Sequence, residues 1–489
     1  MKTAPSLRLL AGLFSLVLGA NTAAAACNPD YSGITLDVGT RTAPFIANAI
    51  KLAAASWENQ TCGKINVLEH PNEQLYQIYL KALGPAADKS PFDIITFGPF
   101  WTPDFAPYLT EMPPAMRETA AWNDILPVYR QHLMQWNGRY VTQTIDGDQH
   151  ILYYRRDLFT NPLEQERFKA KYGYDLNPPA TWEQYYQIAE FFTRPGSNLW
   201  GTAEAYRRGG EQFWYFFTHA AAYTHHPKLP GSMFFDPDTM DAQVNNPGWV
   251  KALTDYLNGL NVAPPGVLGF SSGDIHNIFA GGSVAMNFDW GDTGVNAADA
   301  NRSLIPGVVG TAPLPGSKQV WNYKTRQWDS FPEISRAPFL AYGGWQAAVP
   351  VNSDEPAAAW HFIGWLSSPE VSGEAVVTPQ AGINPYRESH FQLERWLKLF
   401  TPEEARLYLD AQRQGLNSPN VALDLRIPHY AEYTDALEIQ LTRALNLQVS
   451  PQEALDNVAK SWNALTDRIG RKQQRAAYRA SMGLSSEVK

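Results

Sequence analysis

Three short stretches set flat rings beside carboxylates and glycines: Phe100-Trp101, Asp289-Trp290-Gly291-Asp292 and Gly343-Gly344-Trp345. An aromatic plane packs against the C–H face of a polyhydroxylated molecule, and an ionised carboxylate accepts two hydroxyl hydrogens. A glycine lets a ligand approach backbone N–H groups. With each ring contact worth about 0.5–1.5 kcal/mol and each hydrogen bond to a charged group about 1.5–3 kcal/mol, a few of both reach the roughly −8 kcal/mol of a micromolar complex. The competing use of any single ring is core packing. The neighbouring Gly and Asp residues tip these three stretches toward a ligand such as a sugar or polyol.

Signatures of catalysis are scarce. The chain has no G-x-S-x-G, no H-E-x-x-H, no Walker A loop and no cysteine pair at zinc-finger spacing. Asp146 with Asp148, or Asp289 with Asp292, could supply the two carboxylates of a glycoside hydrolase, which must face each other across a cleft. Most such carboxylates are solvated or hydrogen-bonding groups, so a secreted carbohydrate-active hydrolase is the alternative reading. His219, His225 and His226 lack an acidic residue at helical spacing that would complete a metal set. No catalytic residue, metal or cofactor is expected. The 39 basic residues stand against 48 acidic ones, a net charge of −9. That balance removes the positive excess that phosphate-backbone binding needs, so nucleic acid is not an expected partner. With 44% apolar and 13% aromatic residues, the chain is not a disordered one.

Lys2 and Arg8, the apolar run 9–20 and the small residues Ala24, Ala25 and Ala26 read as a secretory signal over residues 1–26. The mature chain then begins at Cys27. No later stretch is long and apolar enough to cross a bilayer. In an oxidising compartment the two cysteines, Cys27 and Cys62, are expected to form a disulfide, which the chain-entropy model values at roughly 3–4 kcal/mol. The rival is a lipid on Cys27, with Ala24 standing where lipoprotein signals usually carry Leu.

The elements that must position these groups follow from hydrophobic spacing. A strand over 34–38, a helix opened near Thr42 and Pro44, a strand over 64–68, a helix over 74–83 and a strand over 92–97 form βαβαβ. That pattern predicts a parallel sheet whose carboxyl-end loops face a ligand. Phe100-Trp101 falls in such a loop. Segment 140–154 reads as extended. Thr181 and Gln184 form a capping box for a helix burying Tyr185, Ile188, Ala189 and Phe192. Residues 226–248, rich in Pro, Gly, Asp and Asn, read as a long surface connection before a helix over 247–260. Ser353 is expected to cap a helix that buries Ala359, Phe362, Ile363 and Leu366 and ends at Pro369. Ser450, Pro451 and Glu453 open another that buries Leu455, Val458, Ala459 and Trp462. The last twenty residues read as a solvated basic helix or tail.

Six segments in this order carry a resemblance: FDIITFGPFWTPDFAPYLTEM at 92–112, YYRRDLF at 153–159, PATWEQYYQIAEFF at 179–192, FAGGSVAMNFDWGD at 279–292, GGWQAAVPVNSDEPAAAWHFIGWLSSPE at 343–370 and GINPYRES at 382–389. The chain resembles the extracellular solute-binding proteins of bacterial ABC transporters, in the sugar-binding family that includes maltose-binding protein. The resemblance implies an α/β fold of two lobes, the type II periplasmic binding protein architecture, each lobe a central sheet flanked by helices with hinge strands between. It also implies a periplasmic monomer that holds a carbohydrate or polyol between its lobes and delivers it to membrane permease subunits. Crossings are expected near 142–148, 308–314 and 366–372. The first lobe would then hold 27–144 and 311–368, and the second 145–310 and 369–489. By the same resemblance, Phe100 and Trp101 match an aromatic-bearing loop and Asp148 an acidic ligand contact. Trp290 matches a stacking ring, Gly344 and Trp345 a glycine-bearing loop, and Arg387 a basic residue that reaches the ligand in some relatives. Arg387 is the ground for a further alternative, a receptor for an anionic polyol phosphate or sugar acid. Asp148 stands where Glu is frequent, and 225–246 has no counterpart.

Overall fold

The computed structural model describes residues 27–84 and 89–484. The export signal read at 1–26 lies outside them. Cys27 and Cys62 are joined in a disulfide with Cα atoms 5.8 Å apart, which ties the start of the described chain to the end of the first helix.

The opening βαβαβ consists of β1 (Thr35–Arg41), α1 (Phe45–Thr61), β2 (Lys64–His70), α2 (Asn72–Leu83) and β3 (Ile94–Phe97). β1 pairs in parallel with both β2 and β3. The apolar face read from the sequence, Ile46, Ala49, Ile50 and Ala53, is buried together with Trp57. Four later strands matter for the site: β4 (Gln143–Thr144), β5 (His150–Arg155), β6 (Met286–Trp290) and β7 (Val309–Ala312), followed by β8 (Gln346–Ala348). One sheet runs β2-β1-β3-β8-β4, with the late β8 inserted antiparallel between β3 and β4. The other runs β6-β5-β7, both outer strands antiparallel to β5. These sheets are the centres of two lobes, and the chain passes from the first to the second between β4 and β5.

The helices that close the lobes are α3 (Trp182–Phe192), α4 (Gln212–Thr224), α5 (Pro247–Asn258), α6 (Pro356–Leu366), α7 (Pro402–Leu416), α8 (Tyr430–Leu445), α9 (Pro451–Ile469) and α10 (Arg471–Ser481). α3, α6 and α9 bury the faces their spacing predicts.

Their ends depart from the sequence reading in informative ways. Thr181 Oγ1 accepts from Gln184 N at 3.3 Å, but the Gln184 side chain accepts from Ala180 N, so the box is displaced by one residue. Ser353 is not the cap of α6. Its hydroxyl accepts from Glu355 N and donates to Asp93 at 2.7 Å, pinning the turn ahead of the helix to the edge of β3. Pro369 does not end a helix; it begins the next, Pro369–Ala375, whose cap is Ser368.

The hairpin of strands Ser317–Asn322 and Gln327–Ser335 packs on α4 and α5. Helix Pro369–Ala375 packs on α1 and α6.

The segment 226–246 is not a surface connection. Met233, Phe234, Phe235, Met240 and Val244 are buried. α10 is not a solvated tail either: it buries Gln474, Ala477 and Tyr478. Its arginines close the carbonyls of that segment, with Arg471 donating to Met240 O at 3.0 Å, Arg475 to Asp238 O at 2.9 Å and Arg479 to Pro237 O at 3.1 Å. Polar and Pro-rich composition signals loops, but here the irregular backbone is satisfied by side chains from a later helix and can therefore be buried.

Candidate functional site

A cavity of about 490 Å³ lies between the lobes. From the first lobe it receives Arg41 and Phe45, where β1 runs into α1, Tyr76 from α2, Phe100 and Trp101 after β3, and Trp345 before β8. From the second it receives Glu211 and Trp214 at the start of α4, His276, Trp290 at the end of β6, and Asp292. Asp146 and Asp148 line it from the passage between the sheets. The carboxyl ends of β1 and β3 thus open on the cavity, as a parallel sheet requires.

The rings form a connected wall. Phe100 stacks on Tyr430 with centroids 4.6 Å apart and meets Tyr342 edge-on at 4.9 Å. Tyr342 in turn stacks on Trp345 at 5.1 Å. Trp290 is fixed by its indole N–H, which donates to Ala341 O at 3.1 Å, and by the His150 ring at 4.2 Å. Tyr342, Gly343 and Gly344 all have positive φ. At Gly344 a Cβ would stand 2.0 Å from Asp146 O. Gly344 does not line the cavity; its missing side chain lets this turn press against the passage that carries Asp146 and Asp148. The expected approach of ligand to glycine is an approach of backbone to backbone.

The carboxylates are held with equal care. Asp146 Oδ1 accepts from Gly147 N at 2.8 Å and Asn384 N at 2.6 Å, and Asn384 Nδ2 reaches Asp146 at 3.2 Å and Asp148 at 2.6 Å. Burial pushes Asp146 up to about 7. Asp148 rises well above the ordinary carboxylate range, through burial first and then the neighbouring Asp146. Asp292 is also raised by burial. For His276, burial works against the charged form, but Asp289 and Asp292 outweigh it and lift the imidazole to about 9.

Six of the sequence-predicted residues meet in this cavity: Phe100, Trp101, Asp148, Trp290, Asp292 and Trp345. Gly344, Asp289 and Arg387 do not. Asp289 is fully buried beneath the wall, accepting from Tyr215 OH at 2.9 Å and from Trp290 N, and holding His276 Nε2 at 3.2 Å. Arg387 is also buried. It donates to Ala121 O at 2.5 Å and to Ser367 O, with Asp124 at 3.5 Å, so its guanidinium is consumed by framework carbonyls. The histidines weighed as metal ligands are apart: His219 pairs with Glu204 at 2.9 Å in the core, and His226 with Asp329 at 3.0 Å.

Sequence reasoning missed Arg41, Phe45, Glu211, Trp214, His276 and Tyr342. Arg41 and Phe45 follow β1 as Phe100 follows β3, so the same rule applied to the first strand finds them. Glu211 carries a signal only in three dimensions, a left-handed backbone at φ 76° in a non-glycine residue at the cavity.

Comparison with known proteins agrees with this architecture. Residues 42–372 match the model of the bacterial extracellular solute-binding protein family. A probable ABC transporter-binding protein of Deinococcus radiodurans is 22% identical over 374 residues, 76% of this chain and 80% of that one. An ABC transporter solute-binding protein of Agrobacterium radiobacter, solved in complex with ribitol, superposes with a TM-score of 0.71 at 23% identity, covering 89% of this chain and 100% of the other. Maltose-bound MalE3 of T. maritima gives 0.70 at 22% identity, covering 88% and 100%. Two sheets, a shared cavity between them and a family match over most of the chain converge: the protein belongs to the bacterial extracellular solute-binding protein family.

Proposed function

We propose that this protein is the exported, periplasmic receptor of an ABC importer, taking a carbohydrate or polyol into the cleft and presenting it to membrane permease subunits. The observation that carries this reading is a cavity whose rings come from both lobes and whose aspartates come from the second lobe and the passage leading into it. Its volume lies in the range of small-molecule sites, which run from roughly 300 to 1,000 Å³. We further propose lobes of 27–144 with 341–391, and 145–340 with 392–489. A ligand that touches both binds the closed form better, which is all a population shift requires.

Neither alternative is favoured by the placement of its residues. Asp146 and Asp148 share one Asn384 amide and so stand side by side, where a hydrolase needs carboxylates on opposite faces of a bond, and Asp289 is buried outside the cavity that Asp292 lines. The anionic ligand rested on Arg387, which is committed to backbone carbonyls and does not line the cavity. A thermal-shift panel of monosaccharides, disaccharides and polyols tests the proposal. A binder raises the melting temperature, is recovered intact, and contracts the protein in solution scattering. Release of sugar fragments would move the reading to a hydrolase, and unchanged dimensions with a tight ligand would remove the hinge.

A further inference from the structure

The charges of the cleft do not balance. Asp146, Asp148, Asp292 and Glu211 line it against Arg41 and His276. Glu73, Arg207 and Glu438 at the same cavity add one more negative charge than positive. Asp292 is the telling member. It is 7% exposed and lines the cavity, and its carboxylate is bonded by its own backbone N–H but by no other residue; the closest cation is His276 Nδ1, at 4.0 Å. Beside these acids the Tyr342 hydroxyl is buried without a partner. A neutral polyol satisfies hydroxyl acceptors but leaves the surplus charge in a desolvated site, which is costly unless a counter-charge is supplied. The walls suit a cation as well, since aromatic faces attract ammonium groups within about 6 Å. Arg41 already uses two of them, lying 4.6 Å from the Phe45 ring and 5.8 Å from Trp345.

We infer that the ligand of this cleft is a hydroxylated molecule bearing a protonated amine, an amino sugar or amino polyol, whose ammonium group is taken up among Asp292, Asp148 and Glu211. The inference rests on the receptor reading and narrows its substrate class. Calorimetry at pH 7 with matched probes tests it: glucose, glucosamine and N-acetylglucosamine; galactose and galactosamine; sorbitol and glucamine. In at least one set the amine binds at least tenfold tighter than its neutral partner, and N-acetylation, which removes the charge, abolishes the preference. Asp292→Asn and Glu211→Gln each reduce the preference at least threefold, and melting curves establish that each variant is folded; Glu211→Gln carries the test should Asp292→Asn fail to fold. Neutral members binding as tightly as the amines, or more tightly, would overturn the inference and leave the receptor reading standing. Silence of every member, neutral and cationic, would count against both.

Discussion

Two regions of this molecule are equally rich in rings and finish their polar edges in opposite ways. Where α5, α9 and α10 close over residues 231–240, Trp249 donates to Met233 O at 2.9 Å, Trp462 to Tyr433 O at 2.9 Å and Tyr478 to Gly231 O at 2.6 Å. Phe235 stacks on Trp462 at 5.2 Å. Each of these three rings has its polar edge bonded to a backbone carbonyl. In the cleft, the indoles of Trp214 and Trp290 are likewise closed, on Asp424 and Ala341 O, which fixes the planes of the rings. The Tyr342 hydroxyl remains without a partner, and the Asp292 carboxylate is bonded only by its own backbone N–H. A count of aromatics cannot separate a buttress from a binding wall; the partner of each polar edge can.

The largest effect that would sharpen this contrast is expected in the buttress. Trp462→Ala should cost about 3–5 kcal/mol of stability, the range for emptying a buried Trp site. The loss is read from the urea midpoint, and ligand affinity of the folded protein should be unchanged. A matching loss of affinity would break the distinction between the two regions. Arg387→Ala comes next. It leaves two buried carbonyls and Asp124 without their donor, for about 3 kcal/mol, with affinity held within twofold. A large loss of affinity in a folded Arg387→Ala protein would return Arg387 to the ligand.

Arginine 387 also marks where sequence stops being informative. Its place within GINPYRES suggested a ligand contact, but whether Arg41 or Arg387 reaches the cleft depends on the fold bringing Ala121, Asp124 and Ser367 around Arg387. The opening βαβαβ was legible because each element buries an apolar face that its own spacing writes out, Ile46, Ala49, Ile50 and Ala53 among them. The place of Phe100 and Trp101 at the cavity was legible for a related reason: residues that follow a strand of a parallel sheet face its carboxyl-end crevice. The segment 226–246 was not, because its burial depends on α10 more than 220 residues later. Asp289 was misplaced because alternation along β6 puts one acid under the wall and its neighbour Trp290 on it.

Acidity distinguishes the two regions in a third way. Asp146 and Asp424 are pushed up to about 7 by burial, and His276 to about 9 by Asp289 and Asp292 acting against burial. All three folded values lie above those of the unfolded chain. Their favourable contribution is therefore complete at low pH and lost as pH rises, between about 4 and 7 for the carboxyls and about 6.5 and 9 for the imidazole. Melting temperature of the ligand-free protein should fall from pH 5 to pH 9. Asp146→Asn should flatten the acidic half of that fall and His276→Gln the alkaline half. Slopes that survive both substitutions would pass the pH response to the other raised acids, Asp148, Asp292 and Asp424.

The smallest effect asks whether an open carboxylate in the cleft is used at all. Asp148 accepts from Asn384 Nδ2 at 2.6 Å, and an asparagine in its place keeps an oxygen that can accept the same bond. Asp148→Asn therefore preserves the link between Asn384 and the passage joining the sheets while removing one charge and one acceptor from the cavity. Stability should stay level or rise slightly, since a buried charge is relieved. Affinity should fall about tenfold, or about 1.4 kcal/mol, by calorimetry. The pairing of these two directions is what a packing role would not produce, because a residue that only supports the wall loses stability and affinity together. If affinity is unchanged, hydroxyl or ammonium recognition passes to Asp292 and Glu211, and Asp148 joins Asp289 as a support beneath the surface.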